Sequence, residues 1–268
     1  MESLIDFILL KDPNVRWVVL GVVLIASSSA VVGVFAFLRK RGLVGDAISH
    51  SILPGICLAF MLTGVKNPLM LMIGAFLSGW FSIWVIGLIT RQSRIKSDAA
   101  IALVLSVFYG FGILLLTIIQ QSGNARQAGL DKFLFGKAAS LVYDDVMIFG
   151  AFALALLLLV YLFFNAFRLV IFDKDFARAR GFPVDWIEVI LSSLTVLAIT
   201  IGIQTVGVVL MVALLISPAA TARYWTHNLG TMTLLAAFFG GLSGLFGAYV
   251  SYEWPRMPTG PWVVSFLS

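Results

Sequence analysis

Apolar residues in this chain come in long runs, and the charges collect in the short connectors between them. A helix rises 1.5 Å per residue, so a run of about 20 residues spans the ~30 Å hydrocarbon core of a bilayer. The pattern predicts nine helical spans, at about 16–38, 44–64, 68–90, 98–120, 145–167, 186–203, 205–222, 231–252 and 260 to the end. No strict period of two marks barrel strands. The sixth and seventh spans are nearly continuous, and Gly202, Gln204 and Gly207 at their junction predict a break in the helix there, because glycine weakens a helix interior. After Gly260 only eight residues remain, enough for roughly 12 Å of helix. That segment either dips into the bilayer without crossing or belongs to a longer natural span.

Composition agrees with the pattern. Of 268 residues, 60% are hydrophobic and 12% charged, with mean hydropathy +1.03. Soluble domains carry roughly a quarter charged residues. The chain therefore reads as an all-α, polytopic membrane protein forming one domain over residues 1–268, with no separate soluble module. No cleavable signal is evident, because residues 1–10 hold two acids and no basic region. Cys57 is the sole cysteine, which excludes an intrachain disulfide.

The net charge of +5 reads as topology. One set of connectors holds Arg39, Lys40, Arg41, Arg91, Arg94, Lys96, Arg168, Lys174, Arg178, Arg180 and Arg223. The other holds Lys11, Arg16, Lys66, Arg126, Lys132, Lys137 and Arg256. The split of eleven to seven places the first set on the cytoplasmic side, with the N-terminus outside and the C-terminus inside.

Candidate chemistry lies in the second span, in the run GDAISHSILPG at 45–55. Asp46 and His50 are four residues apart and share one helical face. Ionisable groups inside a membrane are costly and mark function by default. A hard oxygen with an imidazole nitrogen suits Mn(II), Fe(II), Co(II) or Zn(II) better than Cu(I). Ser49, one turn from Asp46, is a candidate oxygen donor. Gln204 and Thr205 are candidate walls of a pathway. A structural alternative stands beside this: Asp46 as an acid near a helix N-terminus or a partner for Arg39 or Arg41, and His50 as an interhelical hydrogen-bonder.

Other polar residues have plainer readings. Asp98, Asp185 and Glu188 read as caps or first-turn acids. Gly240, Gly241, Gly244 and Gly247 in the eighth span favour close helix packing. No phosphate-binding G-x-x-x-x-G-K-[ST] loop occurs, so an energy source must be another subunit or an ion gradient.

Two connectors are long. The external one contains DKFLFGKAASLVYDD at 131–145, where Phe133, Leu134 and Phe135 among charges predict a short surface helix. The internal one contains FDKDFARARGF at 172–182, with a helix stop at Gly181 and Pro183. It is either a basic anchor or a docking helix for a cytoplasmic partner.

The ordered set GDAISHSILPG, KSDAAIALVLSVFYGFGILLL (96–116), DKFLFGKA (131–138), FDKDFARARGF, QTVGVVLMVALLISPAATA (204–222) and PTGP (258–261) resembles the membrane permease of bacterial ABC importers for manganese, zinc and iron. The resemblance covers nearly the whole chain. It implies a bundle of about nine helices like the vitamin B12 and siderophore importers, working as a pair of permeases in the bacterial cytoplasmic membrane. It implies partners: an extracytoplasmic metal-binding protein, cytoplasmic ATPase subunits and a second permease, either another copy or a homologue. The chain is then a transport subunit and not an enzyme, with no permanent cofactor and with ATP on its partner. Asp46 and His50 match the family's metal-coordinating pair. Phe172, Asp173, Phe176, Arg178, Arg180 and Gly181 lie where the family contacts its ATPase. Transport is expected by alternating access, with Mn2+ favoured and Zn2+ or Fe2+ possible. The alternatives are a permease for metal chelates (siderophore or haem), a proton-coupled secondary transporter, and a purely structural subunit.

Overall fold

The computed structural model describes residues 13–39, 42–65, 67–121, 143–254, 262–263 and 265–266. Among these the chain forms α1 (Pro13–Leu38), α2 (Gly42–Thr63), α3 (Pro68–Gln92), α4 (Ser97–Gln121), α5 (Tyr143–Phe172), α6 (Lys174–Ala179), α7 (Val184–Val206), α8 (Val208–Trp225) and α9 (Leu229–Glu253). Seven of them, all but α6 and α8, are long and apolar enough to cross a membrane. The first eight predicted spans correspond to α1–α5 and α7–α9. The surface helix expected over 131–145 and the PTGP run lie outside the described residues, apart from the start of α5. Of the ninth predicted span only four residues are described, and these are helical.

Local chemistry sets several helix ends. Asn67 accepts a hydrogen bond from the Leu69 amide at 3.0 Å, and Pro68 occupies the first turn of α3. Asn228 does the same for α9 through the Gly230 amide, also at 3.0 Å. The predicted break between the sixth and seventh spans falls at Gly207, whose φ of 90° and ψ of 167° are open only to glycine. The fifth span runs five residues beyond its predicted end, because no breaker intervenes before Asp173.

The bundle has two foci. α1 is buried along most of its length and packs against α5, α7, α8 and α9. α2 packs against α3, α4, α7 and α8. Glycines let these contacts close. A Cβ on Gly33 of α1 would overlap the Leu215 carbonyl of α8, and one on Gly55 of α2 would overlap the Gly74 carbonyl of α3. Gly240, Gly241 and Gly244 of α9 lie against Ala26, Ser27 and Val22 of α1, the close-packing role expected of them. α2 is thereby packed among four helices, and its ionisable residues keep part of their surface exposed.

Candidate functional site

Asp46 and His50 lie in the first half of α2, where most neighbouring side chains are fully buried. The His50 Nε2 stands 3.5 Å from the Asp46 Oδ1, and the two side chains are 31% and 46% exposed. The helix has thus brought the pair together and left it on an open edge. The ring of Tyr109 from α4 meets the imidazole edge-on, with centroids 4.9 Å apart and an interplanar angle of 75°. That contact restricts the swing of the imidazole. One turn further, Pro54 lacks the N–H that would bond to the His50 carbonyl.

Asp46 also opens onto a cleft of about 780 Å³. Arg39 from the end of α1, Asp98 from the first turn of α4, and Val212 and Ile216 from α8 line it. Asp98 is therefore a first-turn acid, as its position in the sequence implies, and also a second carboxylate on the cleft that holds Asp46. Among the described residues no group of three or more His, Cys, Asp or Glu side chains converges. The pair supplies two ligands, and four to six are usual for a divalent transition metal.

The other candidates sit elsewhere. Ser49 is fully buried and its hydroxyl donates to the Gly45 carbonyl at 2.8 Å, within its own helix. Thr205 is also buried and donates to the Gly202 carbonyl at 2.9 Å. Gln204 is 2% exposed, and neither its amide nitrogen nor its amide oxygen has a hydrogen-bond partner within the described structure. A buried amide left in this state costs about 1–3 kcal/mol, so it is a place where stability is given up.

The internal connector folds as predicted into a short helix, α6. Asp173 caps it, accepting from the Phe176 amide at 2.8 Å. Its far end is a Schellman turn: Gly181 has φ 78°, the Gly181 amide donates to the Arg178 carbonyl at 2.9 Å, and the Phe182 amide donates to the Ala177 carbonyl at 3.0 Å. Only Ala177 is buried. Phe172, Phe176 and Phe182 are 60%, 49% and 40% exposed. The Arg180 guanidinium stands 5.6 Å from the Phe176 ring centroid. Three exposed phenylalanines among charges, on a rigidly capped turn, form a knob suited to insertion into a partner.

One residue was missed in the sequence. Glu188, read there as a first-turn acid of α7, pairs with Lys174, with Arg39 at 3.8 Å and with Arg91 at 4.0 Å. These cations come from α6, α1 and α3. All three belong to the basic set assigned to one membrane face, so the fold gathers them at the same end of the bundle as α6. Only an acid in the first turn of a predicted span hinted at this in the sequence.

A bundle of helices able to cross a membrane, with an ionisable pair on an open edge and a capped turn at one end, is the architecture of a multi-pass membrane protein. The model of the ABC 3 transport family matches residues 11–268, and the chain belongs to that family. It is 49% identical to "Manganese transport system membrane protein MntC" of Bacillus subtilis (strain 168), over 95% of this chain and 59% of that protein. The chain therefore spans under two thirds of that relative's length. It is 45% identical to "Zinc transport system membrane protein TroC" of Treponema pallidum (strain Nichols), over 97% of this chain and 87% of that protein. Among solved structures it is similar to "PsaBC from Streptococcus pneumoniae in complex with Fab", with 32% identity and a TM-score of 0.85, covering 98% of this chain and 92% of that one.

Proposed function

We propose that this chain is the membrane permease subunit of an ATP-driven importer of divalent transition-metal ions, with Mn2+ the favoured cargo and Zn2+ or Fe2+ accepted. The observation that carries the reading is the Asp46–His50 pair on an open edge of an otherwise buried helix. One oxygen and one nitrogen make half of a borderline-metal site. A second permease, either another copy or a homologue, supplies the other half across that edge. The relatives' transport of manganese and of zinc supports the cargo class.

Ions reach this site from an extracytoplasmic binding protein in the bacterial cytoplasmic membrane and leave through the cleft lined by Asp46 and Asp98. Weak binding suits the task, because a site that holds its ion too tightly cannot release it. Gln204, Thr205 and Ser49, buried behind the cleft surface, would reach the path only on a rearrangement of the helices. Phe172, Asp173, Phe176, Arg178, Arg180 and Gly181 form the knob on which cytoplasmic ATPase subunits act, and alternating access follows from the movement they impose.

The test is uptake of Mn(II), Zn(II) and Fe(II) into proteoliposomes holding the permease with its ATPase and binding protein. Asp46→Ala and His50→Ala, correctly assembled, are expected to lower uptake at least about tenfold, the scale at which even outer-shell partners of a metal matter. Normal uptake by both variants would remove the pair from the pathway. Uptake without ATP that collapses with the proton gradient would favour a secondary transporter.

A further inference from the structure

Glu188 and Arg39 are only 16% and 12% exposed, so their pairing is screened less than that of ordinary surface ions. Lys174 and Arg39 share the same oxygen, Oε1, with Lys174 in direct contact and Arg39 at 3.8 Å, while Arg91 approaches Oε2 at 4.0 Å. A carboxylate divided among several cations holds each less firmly than it would hold one alone. Arg39 is also tied to α7 by a hydrogen bond to the Ser192 hydroxyl at 3.5 Å. On its other side Arg39 lines the cleft with Asp46 and Asp98. Arg39 therefore pairs with Glu188 and lines the same cleft as Asp46, the carboxylate for which it and a cation would compete.

We propose that Glu188 is a positioning residue for transport: it ties Lys174 of α6 to Arg39 at the cleft, so that displacement of α6 changes how closely Arg39 approaches Asp46. When α6 is seated, Lys174 occupies Oε1 and Arg39 is loosened toward the cleft, which favours release of the ion. When α6 withdraws with Lys174, one competitor for Oε1 is gone, and the Glu188 carboxylate draws Arg39 back and leaves Asp46 to the cation. Each state is favoured by a differential contact, as a coupled equilibrium requires. The proposal rests on the reading of α6 as the segment the ATPase moves.

The experiment uses the reconstituted complex with its ATPase and binding protein, and reads Mn(II) affinity in the absence of nucleotide and Mn(II) ions imported per ATP hydrolysed. E188Q is expected to weaken Mn(II) binding and lower the ions per ATP about tenfold, within the usual range of coupling effects, while ATP hydrolysis persists. E188D should lie between E188Q and wild type. In the double variant E188Q/R39Q the competitor is gone, and Mn(II) affinity should return to within about threefold of wild type. A second-site recovery of this kind is not expected of a residue that only holds the fold together. Should E188Q fail to assemble, K174Q, on a half-exposed side chain, is expected to lower the ions per ATP by a similar factor. The proposal is overturned by wild-type affinity and ions per ATP in E188Q, by an unchanged ratio in K174Q, or by a double variant that binds no better than E188Q. Retention of the ATPase subunits by F176A is measured alongside. Normal retention there would bring down the docking reading of α6, whereas the Mn(II) affinities of E188Q and E188Q/R39Q decide the Glu188–Arg39 relationship.

Discussion

The carbonyl oxygen of Gly74 occupies the space that a Cβ on Gly55 would need, and the carbonyl oxygen of Gly55 does the same to Gly74. Backbone meets backbone at the α2–α3 crossing, and this contact helps fix the helix that carries Asp46 and His50. Gly55→Ala is expected to force the helices apart, at a cost of about 1–3 kcal/mol or more, because a carbonyl cannot yield as a side-chain tip can. Thermal unfolding of the purified protein checks this. Gly87, also on α3, has open space around it, so Gly87→Ala should be neutral or stabilising by up to about 1 kcal/mol. Equal responses from the two variants would show that the crossing is not the constraint.

Tyr109 should matter to the site through its ring and not its hydroxyl. The edge-on contact with His50 has the geometry of aromatic pairs that contribute about 0.5–1.5 kcal/mol. Tyr109→Phe is expected to take up metal like wild type. Tyr109→Ala should lower uptake by about 2–10-fold by releasing the imidazole. Uptake assays of the two variants side by side decide the point, and a loss in Tyr109→Phe would move the role to the hydroxyl.

The α6 knob offers two separable effects. Phe176→Ala removes a half-exposed anchor and is expected to weaken association with the ATPase subunits by about tenfold or more. Asp173→Ala removes the cap on α6 and should cost about 1 kcal/mol of local helix stability, with a smaller loss of association. Affinity measured on immobilised permease distinguishes them, and equal binding by Phe176→Ala and wild type would remove the ring from the interface.

Gln204 is expected to behave as a site where stability is surrendered. Its buried amide has no hydrogen-bond partner within the described structure, so Gln204→Leu should raise thermal stability by about 1–3 kcal/mol. Uptake should fall in the same variant if the amide serves the pathway. A drop in stability would instead show that the amide is satisfied by ordered water.

Much of the fold was legible because a bilayer permits few solutions. Backbone groups in hydrocarbon must bond within their own helix, so long apolar runs become helices whatever their neighbours. The break at Gly207 was legible for a related reason, since only glycine takes that backbone conformation. The spacing of Asp46 and His50 was enough to place them on one face. The roles of Ser49 and Glu188 were not legible. Ser49 follows Asp46 by three residues, yet its hydroxyl bonds within its own helix. Glu188 finds its partners on three other helices, two of them distant in sequence.

The sequence by itself determined that this chain has helices able to span a membrane, where most of those helices run, and that an acid and an imidazole lie within reach of each other. Those features depend on residues close together along the chain and on the chemistry of hydrocarbon. Only the tertiary structure decided which edge of α2 stays open, that Asp98 shares a cleft with Asp46, and that Arg39, Arg91 and Lys174 meet at Glu188. Those features depend on how α1, α3, α4, α6 and α7 pack, and helix packing is set by the shapes of surfaces that no single run of residues contains.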